Sequence, residues 1–332
     1  MSRRTVVTLA AAALAASLIP LGAGSAGATD PTPVAVPPLD NVFVIVGENT
    51  SLSQLDAKDA PYELGTVRTH SAWFSDYWGI SHYSTSNYVA MTSGQFLPCH
   101  QADEKPATCN QDVPNLFGEL TSARISWKAW NESMPGGCYL VNSGENRFGN
   151  SYRVKHNPAA YYEDIVGPDF SGTRGNTFCR NHVVSMGGTT PNDKSRFETD
   201  LATGSVPRFN YVVPNMCEDG HDNCKPTGNP ILQFDSFLAR EIPKIEASPA
   251  WTTNSVIVVV YDEGQDGGPG KAVKFAGGNV PFAVIGKTLV DNGTYGQTMN
   301  HYNLLRTLEE GFGLPSHAGA AADVPNLGDI WN

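Results

Sequence analysis

Unbroken apolar runs alternate along the chain with polar, glycine-rich stretches. Val42 to Val46 are too few for a helix and too apolar for an exposed strand, which predicts a buried parallel strand ending at Gly47. Ile125 to Trp130, Phe209 to Val213, Val256 to Tyr261 and Pro281 to Ile285 predict further core strands. Between them the period changes. Ile231, Phe234, Phe237, Leu238, Ile242 and Ile245 fall on one helical stripe, with Pro243 as a kink or early stop. Leu304, Leu305, Leu308 and Phe312 make the core face of a last helix ended by Gly311 to Pro315, and Ser86 to Ser93 predict a helix whose first turn follows Ser84. Phe117 to Leu120 and Arg196 to Leu201 predict short helices. Tyr62 to Tyr83 is aromatic and polar, and residues 131–190 are rich in Gly, Asn and aromatics with little periodicity, which suits long loops over an active-site face. Strands alternating with helices predict an α/β fold around a mostly parallel sheet.

The first residues do not fit that scheme. Arg3 and Arg4 precede an Ala/Leu/Val-rich stretch, and Ala26-Gly27-Ala28 offers a small-x-small cleavage site, so residues 1–28 read as a signal peptide. Ser2-Arg3-Arg4 suits a twin-arginine export signal as well as an ordinary one. A membrane anchor would need roughly 20 apolar residues with fewer Ala, Gly and Ser. Residues 29–38 form a Pro/Thr/Val leader, and residues 39–332 are expected to be one domain, secreted and without stable membrane association.

The chain carries 33 acidic against 22 basic residues, a formal net charge of -11. Such a surface repels nucleic acid and anionic membranes at long range, so a phosphate-bearing ligand must be held by a local cation. No obligate protein partner is evident. Six cysteines in an exported chain favour disulfides. Cys99 with Cys109 and Cys217 with Cys224 are close enough in sequence to close small loops, leaving Cys138 with Cys179, one of the connectivities that six cysteines allow. No CxxC pair points to a zinc cluster.

Predicted strands end in oxygen-rich residues: Glu48-Asn49 after the first, Asn215 and Glu218-Asp219-Gly220-His221-Asp222 after Phe209 to Val213, and Asp262-Glu263 after Tyr261. In a parallel sheet these carboxyl ends lie on one side, where ligands bind. Carboxylates gathered there repel unless a cation sits between them or their pKa values rise. Glu48, Asn49, Asp262 and Glu263 offer hard oxygen donors while His221 and His301 add nitrogen, a set that does not choose among Zn, Ca, Mg, Mn and Fe. A helix start at Glu48 to Ser51, over Leu52 and Leu55, and a turn at Asp262-Glu263 are the plainer readings of the same residues. A nucleophile would sit in His82 to Tyr88, before a helix whose free N–H groups favour an anion. Pattern alone does not separate Ser84, Thr85 and Ser86, and each is equally an ordinary N-cap.

GENTS at 47–51, SHYSTSNYVAMTSGQ at 81–95, KHNPAAYY at 155–162, VPNMCEDGHD at 213–222, VYDEG at 260–264 and NHYNLLRTLEEGFGLP at 300–315 resemble, in order, the bacterial phosphoesterase family. That family contains acid phosphatases and phospholipase C-type enzymes and is similar in core fold to the alkaline phosphatase superfamily, a three-layer sandwich. The resemblance implies Glu48, Asn49, Asp262 and Glu263 as ligands of a divalent metal and Ser84 as nucleophile and metal neighbour. It places Asn87 beside the transferred phosphoryl group and His156, His221 and Asp222 in the substrate pocket; His301 matches a family histidine, and Asp219 lies within a matching block. His70, His100, His182 and His317 read as hydrogen-bonded loop residues. Tyr83 departs from the family's His-Pro-Ser, where a proline is common.

The expected reaction is a two-step displacement through a phosphoserine, with His156 or His221 protonating the leaving oxygen, on small soluble phosphate monoesters. Diester cleavage of the phospholipase C or glycerophosphodiester type, on a phospholipid-derived substrate, is the neighbouring alternative. An exported metal-binding domain without catalysis is the alternative from another class.

Overall fold

A computed structural model describes residues 35–96, 102–144, 151–188, 192–266, 276–289 and 293–331. The expected signal peptide, most of the expected leader, Cys99 and His100 lie outside the described residues. In chain order the strands are β1 (Val42–Gly47), β2 (Ala72–Phe74), β3 (Tyr77–Trp78), β4 (Trp127–Asn131), β5 (Val183–Ser185), β6 (Phe209–Val213), β7 (Val256–Tyr261), β8 (Phe282–Gly286), β9 (Gly293–Tyr295) and β10 (Met299–Asn300). The helices are α1 (Ser84–Ser93), α2 (Pro106–Cys109), α3 (Leu116–Ser122), α4 (Glu163–Val166), α5 (Thr177–His182), α6 (Ser195–Thr203), α7 (Pro230–Glu246) and α8 (His301–Gly311).

An 8-stranded sheet has the order β5-β4-β6-β1-β7-β8-β2-β9. β5, β4, β6, β1 and β7 are parallel, whereas β8 runs against both β7 and β2. β1, β6, β7 and β8 are buried throughout, as their continuous apolar runs predict. The direction of β8 is not written in its apolar run, which reads alike either way along the sheet. β4 begins two residues later than predicted, at Trp127. Pro243 neither kinks α7 to a halt nor ends it, because the helix runs on to Glu246.

Side chains alternate across the sheet, and aromatic contacts identify the helices on each face. Tyr211 meets Tyr88 of α1 and Phe117 of α3, and Phe209 meets Phe312 just beyond α8. On the other face Trp130 meets Phe197 of α6, and Tyr261 meets Phe234 of α7. The result is the three-layer α/β sandwich expected from the sequence.

β1 and β7 are neighbours in register, with Gly47 beside Tyr261. A Cβ at Gly47 would lie 2.8 Å from both Phe234 and Tyr261, so glycine lets the α7 face close over the strand end. Alternation then turns the next residues, Glu48 and Asp262, toward the α1 face. Disulfides join Cys217 to Cys224, as expected from their spacing, and Cys138 to Cys179, as expected for the remaining pair.

Candidate active site

Glu48 and Asp262 leave adjacent strands together, and Asn49 turns the chain after them. Its φ of 50° is a left-handed conformation that asparagine adopts more readily than most residues. In it the Asn49 N–H donates to Asp262 Oδ1 at 3.1 Å, although 213 positions separate the two. The capping reading of this stretch also holds: Ser51 N–H donates to Gln54 Oε1 at 2.8 Å at the start of a short 3-10 turn. Glu48-Asn49 and Ser51 therefore do different work within a few residues.

α1 begins at Ser84 itself, one step earlier than a serine N-cap would place it. The preceding Tyr83 has φ 70°, exposes its ring and supplies no side-chain cap. A proline cannot take that φ, so this loop reaches the helix by a route closed to the family's His-Pro-Ser. The buried Ser84 Oγ donates to Glu48 Oε2 at 3.0 Å and lies 3.5 Å from Glu263 Oε1. Lys155 Nζ donates to the same oxygen at 3.2 Å. Asn87 stands one turn into the helix with its amide committed to the loop: Oδ1 accepts from Ile80 and Ser81 N–H, and Nδ2 donates to the Ser81 carbonyl.

His156 is buried between two carboxylates, with Nε2 3.0 Å from Glu48 Oε1 and Nδ1 3.5 Å from Asp219 Oδ2. His221 is half-buried and pairs through Nδ1 with Asp222 Oδ1 at 2.8 Å, while its backbone N–H donates to Asp219 Oδ1. His301 is wholly buried behind the site. Its Nε2 meets the Asp262 carbonyl at 2.6 Å and its Nδ1 meets the Tyr77 hydroxyl at 3.2 Å, so both ring nitrogens are engaged away from the cluster of donors. His70 and His182 bond to backbone carbonyls in their own helical turns, and His317 pairs with Glu309.

Burial and the neighbouring Glu48 and Glu263 charges push the Asp262 carboxyl well above the ordinary carboxylate range. Burial and Glu48 do the same to Asp219. Burial also opposes ionisation of Glu48, but His156, Lys155 and His221 outweigh it and hold that carboxyl low. The hydrogen bond that His221 donates to the Asp222 carboxylate raises its pKa, whereas burial lowers His301 to about 4. Among the described residues Asp262 Oδ2 is buried with no hydrogen-bond partner, and Glu48 Oε1 has only its ion pair with His156. These are unfilled acceptors on hard oxygen donors, the chemistry of a divalent-cation site, and Asn49 and Glu263 lie beside them. Among the described residues no three Asp, Glu, His or Cys side chains are already drawn around one point.

Lys155, Asp103 and His82 belong to this constellation although their spacing gave no signal. His82 Nδ1 meets Glu263 Oε2 at 2.7 Å, and Lys155 pairs with Asp103 at 3.0 Å. Lys155 lies inside KHNPAAYY next to His156, and Asp103 lies in a charged loop with no periodicity. A cleft of about 320 Å³ opens here, walled by Arg153, Lys155, Met216, His221 and Asp222. A larger cavity of about 470 Å³, among Tyr62, Ile242, Trp251 and Ile285, lies at the other end of the sheet and contains none of the expected site residues.

The Phosphoesterase family profile matches residues 37–315. The chain is 28% identical over 323 residues to the phosphatidylinositol-3-phosphatase of Mycobacterium tuberculosis, covering 96% of this chain and 91% of that one. It is 23% identical over 294 residues to a probable acid phosphatase of Kluyveromyces lactis, covering 87% of this chain but only 61% of that one. Among solved structures it is similar to a phosphonate monoester hydrolase of Silicibacter pomeroyi, with TM-score 0.53 and 10% identity over 87% of this chain and 76% of that one, a likeness of fold alone. The chain belongs to the Phosphoesterase family and is a hydrolase acting on phosphoric ester bonds.

Proposed function

We propose that this protein is a secreted, metal-dependent phosphatase that hydrolyses small soluble phosphate monoesters through a phosphoserine at Ser84. The observation that carries this reading is the position of Ser84 Oγ, at the start of α1 and 3.0 Å from Glu48 Oε2, with Lys155 at 3.2 Å opening onto the cleft. The two described disulfides support an oxidising compartment. Relatives named as phosphatases support a monoester over a diester; the mycobacterial one is named for a phosphoinositide.

Glu48, Asn49, Asp262 and Glu263 would hold the cation, which when bound supplies charge screening for the phosphate and a lower pKa for the serine hydroxyl. The chain's own groups do the rest. Ser84, its hydroxyl oriented by the hydrogen bond to Glu48 Oε2, gives its proton to water, and its oxygen attacks phosphorus in line with the leaving group. His221 faces the cleft, and we assign it the proton for the leaving oxygen; Asp222 holds its Nδ1 and keeps the ring charged into mildly acidic pH. His156 is enclosed between Glu48 and Asp219 and orients them. Asn87 holds the loop from Ile80 to Ser81 on which the nucleophile rests, and His301 holds the Asp262 backbone.

Replacing Ser84 with alanine tests the reading. Turnover of a monoester is expected to fall by about 10³-fold or more, while bound divalent metal, measured by elemental analysis, stays at the wild-type level. A variant that keeps its turnover would overturn the nucleophile assignment. Release of inorganic phosphate from a monoester, against release of a phosphorylated headgroup from a diester, separates the two substrate classes. Inactivity of the wild type on both would favour the non-catalytic metal-binding alternative.

A further inference from the structure

Lys155 is the middle residue of a 3-10 turn, Val154–His156, whose outer two side chains are buried. Those anchors leave the lysine stem little choice of direction. Its Nζ lies 3.2 Å from Ser84 Oγ and 3.0 Å from Asp103 Oδ2. The other Asp103 oxygen accepts from the Thr85 N–H at 3.2 Å and the Thr85 hydroxyl at 3.3 Å. One carboxylate thus grips both the first turn of α1 and the ammonium that faces the serine.

A serine hydroxyl has one proton to give and two lone pairs to offer. Here the proton points at Glu48 Oε2, so the contact with Lys155 is made through a lone pair. An ammonium has three N–H donors. Asp103 and Ser84 take two of them, and the side chain also walls the cleft. Among the described residues nothing takes the third, which can meet an oxygen that enters there.

We propose that Lys155 is a catalytic residue, its ammonium bridging the Ser84 oxygen and a non-bridging oxygen of the incoming phosphoryl group, with Asp103 as the positioning residue that aims it. This rests on Ser84 being the nucleophile. As the Oγ–P bond forms and the bond from phosphorus to the leaving oxygen breaks, the serine proton is released to water and the leaving oxygen takes a proton from His221. Lys155 keeps its own protons throughout and stabilises charge on the oxygens it bridges.

The test uses the full mature chain and a soluble aryl phosphate monoester, with Ser84→Ala measured alongside. Lys155→Ala is expected to lower kcat/KM by about 10²-fold or more, to weaken binding of inorganic phosphate about tenfold, and to recover part of its rate when ethylammonium is added. Asp103→Asn is expected to lower kcat by about tenfold with KM little changed, as for a group that aims another without touching substrate. Should Lys155→Ala fail to fold, Lys155→Met keeps the stem and removes the charge for the same measurements. A folded variant with kcat/KM within about threefold of wild type, or with unchanged phosphate affinity and no response to the amine, overturns the proposal. If Ser84→Ala is inactive while the lysine variants are not, only the lysine assignment falls. If Ser84→Ala is active, the nucleophile reading falls with it.

Discussion

At the residue scale the site is an arrangement of charges whose separate demands conflict. Glu48, Asp219, Asp262 and Glu263 are all buried, with His156 against Glu48 and Asp219 and His82 against Glu263, and partners of opposite charge together with raised carboxyl pKa values make that tolerable. His221 differs in that it reaches the cleft, and its charge is set by one identifiable neighbour. Asp222 is the first cause of its raised pKa. A general acid works in its protonated form, so activity is present below the His221 pKa and lost above it. Asp222→Asn removes the stabilising carboxylate and lowers that pKa. The alkaline limb of kcat/KM is therefore expected to move toward acid by up to about one pH unit, as a pH–rate profile would show. A limb that stays in place would assign it to another group.

At the element scale the pairing of β1 with β7 does most to make the site. Register puts Gly47 beside Tyr261, alternation puts Glu48 and Asp262 on the α1 side, and α1 arrives with Ser84 as its first residue. Much of this was legible, because β1, β6 and β7 are unbroken apolar runs and their exits are rich in oxygen donors. β2, β5 and β9 were not legible: each has three residues, too few for a period to declare itself. The stretch 131–190, expected as loops, holds β5, α4 and α5 as brief elements fixed by tertiary contacts. The other face of β7 carries a different load. The Tyr261 hydroxyl donates to Glu63 Oε2 at 2.8 Å, and burial raises that carboxyl from 4.5 to about 8. Below the unfolded pKa both states are protonated and the pair contributes fully. Between about 4.5 and 8 the folded state binds the extra proton, so stability falls as pH rises, at up to ~1.4 kcal/mol per unit. Glu63→Gln keeps an acceptor for Tyr261 and removes the titration. Its denaturation midpoint is expected to match wild type near pH 4 and to exceed it at pH 7.5.

At the scale of the whole molecule, an acidic chain, with 33 Asp and Glu to 22 Lys and Arg, still sets basic side chains together at the proposed phosphate site. Arg153, Lys155 and His221 share one cleft. Net charge made a local cationic site necessary and the strand ends said where it would be, but neither could assign roles. Those came from six sequence blocks resembling a family, which contain Lys155 and His82 without giving them a role and leave Asp103 outside. A lone lysine or aspartate in an aperiodic loop acquires meaning only from what folds against it.

The Cys217–Cys224 bridge closes a loop that carries Asp219, His221 and Asp222. It spans only 7 positions, and closing so short a loop stabilises a fold by about 2 kcal/mol. The sheet does not depend on it. Replacing both cysteines with serine is expected to lower the melting temperature by only a few degrees yet to cut turnover about tenfold or more, because the proton donor loses its frame. Comparing melting curves and turnover of the two proteins would show whether the losses separate in this way. Assembled in a reducing compartment, the chain would be folded but slow, and oxidation of this one loop would restore its turnover.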